Sequence, residues 1–151
     1  MKYTLEDIVK HPVQLVKVQL KDVHVSKYQI CEDCGEITRE ITVSTNSTAE
    51  NDELGYVEAT MTISAIMNGE KYYDAVFTYI GECKNSKESS NEREFEIFLE
   101  VQAIRLIWPY FRETVPSILL KMGTEPFEIP TIDVFETISK NINRFDAYDQ
   151  K

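Results

Sequence analysis

Cys31, Cys34 and Gly35 sit in the segment CEDCG, the one stretch of this 151-residue chain with metal-ligand spacing. Two thiolates separated by two residues can grip one side of a tetrahedral ion. A structural zinc needs four ligands, usually brought by a second such knuckle. The other soft donors are Cys83, His11 and His24, and none of them forms a second pair. A site shared between two copies would complete four thiolates, and a redox pair is a further reading. The plainest reading is a turn carrying two unlinked thiols. The expectation is therefore no bound metal and no cofactor, with Cys31 and Cys34 as the only metal candidates.

His11 and His24 have no Ser or Cys partner arranged for a nucleophilic triad. The chain has five Gly and no glycine-rich phosphate loop. Trp108 and Phe111 would make an aromatic ligand box, but their helical spacing suits core packing better. No catalytic constellation emerges, and the chain does not read as an enzyme.

These residues hang on one long element. Phe98, Val101, Ile104, Trp108, Phe111, Val115, Ile118 and Met122 recur at spacings of three and four, one face of a helix. Leu99, Ala103, Ile107 and Tyr110 widen that face until it needs an apolar sheet as its partner. Ser89 and Ser90 are candidate N-caps, with Glu92 placed for a capping box with Ser89. Glu92, Glu94 and Glu96 complement the helix dipole, and Gly123 suits the left-handed position past the end. Pro109 and Pro116 predict a kink near 106–108 or a helix in two pieces.

Before the helix the chain reads as strands. The first starts at Val13, and its apolar parity flips near Asp22, which predicts a bulge or an element that leaves one layer for another. The second carries Ile37, Ile41 and Val43 on one parity and fades into the polar loop STNSTAEND. Residues 54–67 alternate cleanly, Asn68-Gly69 is a hairpin-turn signal, and residues 71–83 return. That returning strand is apolar on both parities: Tyr73, Ala75, Phe77 and Tyr79 on one, Tyr72, Val76 and Ile80 on the other. One face packs on the helix, and the other, Tyr73, Ala75, Phe77 and Tyr79, is assigned to a subunit interface. After the helix, Pro126 and Pro130 keep the connector extended. Thr131 is a candidate N-cap for a last helix carrying Ile132, Phe135, Ile138, Ile142 and Phe145. The fold class is α+β: a four-stranded antiparallel sheet, with a long kinked helix and a shorter C-terminal helix packed on one face. Residues 1–151 form a single domain.

The formal charge of -10, with 16 basic and 26 acidic residues, opposes binding to nucleic acid or anionic membranes. An odd set of three Cys is no disulfide framework. Charged residues interrupt the N-terminus, and no apolar run reaches the length of a membrane span, so a cytoplasmic protein is expected.

The segment Leu106-Ile107-Trp108-Pro109-Tyr110-Phe111-Arg112-Glu113 resembles the L-F-P-Y-x-R-E pattern of the protein-export chaperone SecB and its small SecB-like relatives. Gly123, Ile129-Pro130-Thr131-Ile132 and, in the first strand, Lys21-Asp22-Val23 match the same family. The resemblance implies an oligomer, a dimer or a dimer of dimers, that holds unfolded polypeptides in a hydrophobic groove without ATP. It also implies a groove lined by the second strand and the last helix: Ile37, Ile41, Val43, Phe127, Ile132, Phe135, Ile138 and Ile142. Export members of the family engage the motor SecA through acidic first-strand residues and a C-terminal tail. Asp22 matches, but Ser26 stands where an acidic residue belongs and the tail differs, which weakens SecA as a partner. Some relatives guard a toxin–antitoxin pair. Two other readings stand beside the holding chaperone: an adaptor for one specific partner, and a hotdog-type enzyme. The second is disfavoured because this helix follows all the strands.

Overall fold

The computed structural model describes residues 11–87, 91–133 and 136. Four strands come first, β1 (Val13–Lys27), β2 (Ile37–Ala49), β3 (Leu54–Met67) and β4 (Glu70–Asn85), followed by one long helix, α1 (Glu92–Lys121). The strands form one antiparallel sheet in the order β1-β4-β3-β2. The expected α+β architecture is present in sheet and long helix. The shorter C-terminal helix, with Phe135, Ile138, Ile142 and Phe145, lies outside the described residues.

The β3–β4 hairpin is the centre of the sheet. Its turn places Asn68 at φ 53° and Gly69 at φ 82°, the two left-handed positions that a tight hairpin turn requires. β1 adds to the far side of β4 with register shifts at Leu15/Lys17 and Leu20/Asp22. The second shift is the bulge that the parity flip predicts. β2 adds to β3 in an unbroken register from Ile37–Met67 to Ala49–Gly55. The expected polar loop after Val43 is thus strand through Ala49. Its Ser and Thr residues lie along an exposed edge, where no burial is needed and β-branched Thr is favoured.

α1 packs across β2 and β3 and reaches β4. Among the described side chains of the helix, Phe95, Leu99, Ile107, Phe111, Val115 and Leu119 are fully buried, nearly all four residues apart. The expected stripe holds from Trp108 to Val115. Nearer the start it is turned, so Phe98, Val101 and Ile104 are only half-buried. A Cβ on Gly55 would stand 2.4 Å from Leu99 Cδ1 and 3.0 Å from Phe95 Cε1, so only glycine lets the first turns of α1 rest on β3.

Asn91, not a serine before it, caps the helix: its side chain accepts from the Glu94 amide at 2.9 Å. Ser89 and Ser90 lie outside the described residues. Both prolines are accommodated in one continuous, bent helix, and the two-piece alternative does not occur. The carbonyls left without donors belong to Arg105 and Arg112, both exposed, where water can serve them.

β4 corrects the assignment of Tyr73, Ala75, Phe77 and Tyr79 to a subunit interface. All four are buried inside the protomer, at 0 to 5% exposure. Tyr79 donates toward Tyr110 O and shares a hydrogen bond with the Thr114 hydroxyl, so this parity faces α1. The reason lies in a bulge between Ala65 and Ile66 that leaves Tyr72 without a partner on β3. The Tyr72 ring sits 5.2 Å from that of Tyr73, on the same side, which strips the outer face of its largest apolar residue. What remains outside is mostly polar and internally bonded. Thr60 pairs with Thr78, Ser64 donates to Asp74, Lys71 bridges to Asp74, and Lys21 to Glu58.

Candidate functional site

The end of α1 and the connector after it lie beside β2. Gly123, at φ 70°, turns the chain out of α1 and its amide donates to Leu120 O. Lys27 Nζ donates to Met122 O and Gly123 O, a cation at the negative end of the dipole. Thr124 bonds back to Leu119 O through both its amide and its hydroxyl. The connector then runs back along α1: Arg112 Nε donates to Ile129 O at 3.1 Å and Trp108 Nε1 to Pro130 O at 2.8 Å. Ile129 is buried by this. Past it, Asp133, rather than Thr131, accepts the Glu136 amide, the three-residue span of a helix cap.

Arg39 ties β2 to the connector. On β2 it stands between Ile37 and Ile41, with its side chain toward α1. Its Nε donates to the Tyr73 hydroxyl at 3.1 Å, its Nη2 pairs with Glu125 at 3.3 Å, and its guanidinium lies 4.8 Å from the centre of the Phe127 ring. Burial pushes the Tyr73 hydroxyl above its ordinary range, while Arg39 pulls it down.

Of the expected groove residues, Ile37, Ile41, Phe127 and Ile132 are half-buried at the margin of the core. Val43 continues their parity and is more open, at 36%. Phe135, Ile138 and Ile142 lie outside the described residues. Sequence reasoning missed Arg39, Arg112 and the Trp108 indole. Its available signal was a basic residue inside the apolar parity Ile37–Ile41–Val43.

The backbone of β2 adds a second feature. Asn68 N donates to Glu36 O and Glu50 N to Leu54 O, both in the register that joins β2 to β3. In an antiparallel ladder such bonds alternate, so the even-numbered residues of β2 bond to β3. The odd-numbered ones, Ile37 to Ala49, turn their N–H and C=O groups to the edge that no described strand covers. β2 has no bulge and no proline along this edge, whereas edge strand β1 has two shifts and carries Lys17, Lys21 and Asp22.

Cys31 and Cys34 are joined by a disulfide, with Cα atoms 5.3 Å apart, which replaces the expectation of unlinked thiols. Cys83 is buried on β4, and burial with nearby Glu82 pushes its thiol up to about 11. Among the described residues no cluster of three or more His, Cys, Asp or Glu is arranged to hold a metal. Among them, too, no helix is long and apolar enough to cross a membrane.

An antiparallel four-stranded sheet, a long helix laid over it, and an extended connector returning along that helix define a SecB-like fold. The solved structure of the SecB-like chaperone Rv1957 from Mycobacterium tuberculosis, in complex with a ChAD peptide from the HigA1 antitoxin, superposes with a TM-score of 0.71. The match covers 80% of this chain and 91% of that one at 12% sequence identity. No family model and no curated protein matches the sequence.

Proposed function

We propose that this protein is a SecB-like chaperone that holds unfolded or extended polypeptides without ATP. The observation that carries the reading is β2. Among the described residues it has a free backbone edge, beside the half-covered side chains of Ile37, Ile41 and Val43, and in this reading the connector residues Phe127 and Ile132 close the other side. An extended chain laid there gains main-chain hydrogen bonds and non-directional apolar burial, about 25 cal/mol per Å². Neither depends on client sequence. The acidic surface keeps such a complex soluble. Phe135, Ile138 and Ile142 extend the same lining in this reading.

A homodimer or homotetramer suits this function, but through a surface other than the one expected from sequence. Leu20 and Val23 on β1 pair across the strands with Tyr79 and Phe77, so they stand on the helix side of the sheet. α1 lies toward the other edge, and Leu20 and Val23 stay 41% and 36% exposed. A second copy would cover them. Action in the cytoplasm, and in transport with or without SecA, belongs to this reading.

The test is suppression of aggregation of an unrelated unfolded protein, compared for wild type and an Ile41→Ser/Phe127→Ser variant. Suppression by wild type that is lost in the variant, with folding and mass intact, supports the reading. Failure to suppress any unrelated protein refutes it. The second reading, an adaptor for one partner, is favoured by the antitoxin peptide bound to the structurally similar M. tuberculosis chaperone. Binding to one protein alone would select it. The chemistry described in the site is recognition, and no enzymatic step is proposed.

A further inference from the structure

The segment joining β1 to β2 crosses the end of the β3–β4 hairpin. Both its ends are fastened to that hairpin. Tyr28 N donates to Tyr72 O at 2.8 Å and Gln29 Nε2 to Lys71 O at 2.7 Å. At the far end Glu36 O accepts from Asn68 N at 3.1 Å, and Gly35 lies so close to the Asn68 side chain that a Cβ would stand 2.2 Å from Oδ1. Between these anchors, residues 30–34 make no hydrogen bond or ion pair with the described residues. The Cys31–Cys34 disulfide and the packing of half-buried Cys31 against the core are what hold the middle of the crossover.

The two sulfurs are not equivalent. Cys34 is exposed and Cys31 is half-buried. We propose that Cys31–Cys34 is a thiol–disulfide exchange centre, attacked at Cys34 by a dithiol reductant, and that its opening loosens the crossover that leads into β2.

The electrons balance in two steps. A thiolate of the dithiol attacks Cys34 Sγ; the Cys31–Cys34 bond breaks, a mixed disulfide forms at Cys34, and the electron pair leaves on Cys31 Sγ, which takes a proton. The second thiolate of the reductant then attacks its own sulfur in the mixed disulfide. The reductant leaves as a disulfide, and Cys34 departs as a thiolate that takes a proton. The pair has gained two electrons and two protons. Exposure decides the order, because an incoming thiolate must approach along the S–S axis from the side of the sulfur it attacks. Glu32 and Asp33, between the cysteines, favour a neutral dithiol over an anionic one.

The test uses the full-length native protein with dithiothreitol as the probe. Alkylation after mild reduction, read by intact mass, is expected to add two labels, at Cys31 and Cys34, with buried Cys83 unlabelled. Hydrogen exchange at the Asn68 amide, whose bond closes the crossover, is expected to speed up by as much as roughly twentyfold, the loop-closure entropy of a four-residue ring. Single variants then locate the attack: Cys31→Ser, which keeps Cys34, should form a mixed disulfide with a neutral reagent disulfide faster than Cys34→Ser. A pair that resists excess dithiothreitol until the protein unfolds overturns the proposal. So does unchanged exchange at Asn68 after reduction, equal trapping rates in the two variants, or stoichiometric zinc released when the thiols are alkylated.

Discussion

Replacing Arg39 by leucine isolates the contact that joins β2 to the connector. The aliphatic part of the side chain keeps its packing, so the loss is confined to the guanidinium. Three interactions go. The Tyr73 hydroxyl, on a fully buried ring, loses its donor, at a cost of about 1–3 kcal/mol. The cation over Phe127 is worth about 0.5–1 kcal/mol. The pair with Glu125, whose side chain is 45% exposed, contributes 0–1 kcal/mol at most, roughly the value of a surface bridge. Together the expected destabilisation is about 1.5–5 kcal/mol. With an m-value of about 2 kcal/mol per M, the urea midpoint falls by about 0.8–2.5 M, measured at fixed protein concentration so that any oligomer is treated alike. A second readout is specific to the mechanism. Arg39 lowers the Tyr73 ionisation while burial raises it, so the variant leaves burial unopposed and one tyrosine titrates at higher pH. A raised tyrosine ionisation stabilises the neutral folded form. That contribution is complete below the ordinary value of 10.0 and is lost as pH rises through the folded value, so alkaline unfolding deepens in the variant. Glu125→Gln removes only the exposed pair and should cost no more than about 1 kcal/mol. An unchanged midpoint together with a superimposable tyrosine titration in Arg39→Leu would refute this account of the groove.

Other outcomes follow from the same geometry. Cys83 should add to alkaline instability: the gap between 9.0 and about 11 corresponds to on the order of 2–3 kcal/mol, present below pH 9 and lost as pH rises toward 11, and Cys83→Ala should flatten that part of a stability–pH curve. Phe111→Ala should cost about 3–5 kcal/mol by chemical denaturation, since the ring is fully buried against Tyr79 and Trp108. Leu20→Glu with Val23→Glu should dissociate an oligomer into folded monomers in light scattering, whereas Phe77→Glu should unfold the chain outright. Client peptides N-methylated on alternate residues should bind differently according to which parity is blocked, because only one parity can face the edge of β2; equal binding by both would remove the backbone from recognition.

Much of this fold was legible because burial leaves a period. The alternation at 54–67, the Asn68-Gly69 turn and the parity flip at Asp22 each state a local geometry directly. The end of β2 was not legible, since an exposed edge strand of Ser and Thr imposes no apolar period. Nor was the face of β4 under α1: both parities are apolar, and the bulge that turns Tyr72 inward leaves no mark in composition. The N-cap was ambiguous among neighbouring polar residues, any of which can accept an amide bond. Near the connector, the apolar parity of Ile37, Ile41 and Val43 on β2 could be read from their alternation. The contacts of Arg39 with Tyr73, Glu125 and Phe127 join residues far apart in the chain, and one-dimensional spacing carries no record of them. The pairing of Cys31 with Cys34 was a matter of distance, and the spacing alone read as unlinked thiols ahead of a metal knuckle or a redox pair.

The strand order also sets a schedule during synthesis. β1 leaves the ribosome before the other described strands, yet among the described residues its only neighbour in the sheet is β4, the last of those strands to be made. β2 meets β3 almost at once, and β3 meets β4 through a two-residue turn. At roughly 5–20 residues per second, the stretch from Lys27 to Asn85 leaves β1 without its partner for roughly 3–12 seconds. For that interval Leu20 and Val23 are a nascent apolar strand waiting for a template. A ribosome stalled before β4 would therefore present an incomplete sheet with β1 unpaired, and the β3–β4 hairpin is the step after which the N-terminal strand has somewhere to go.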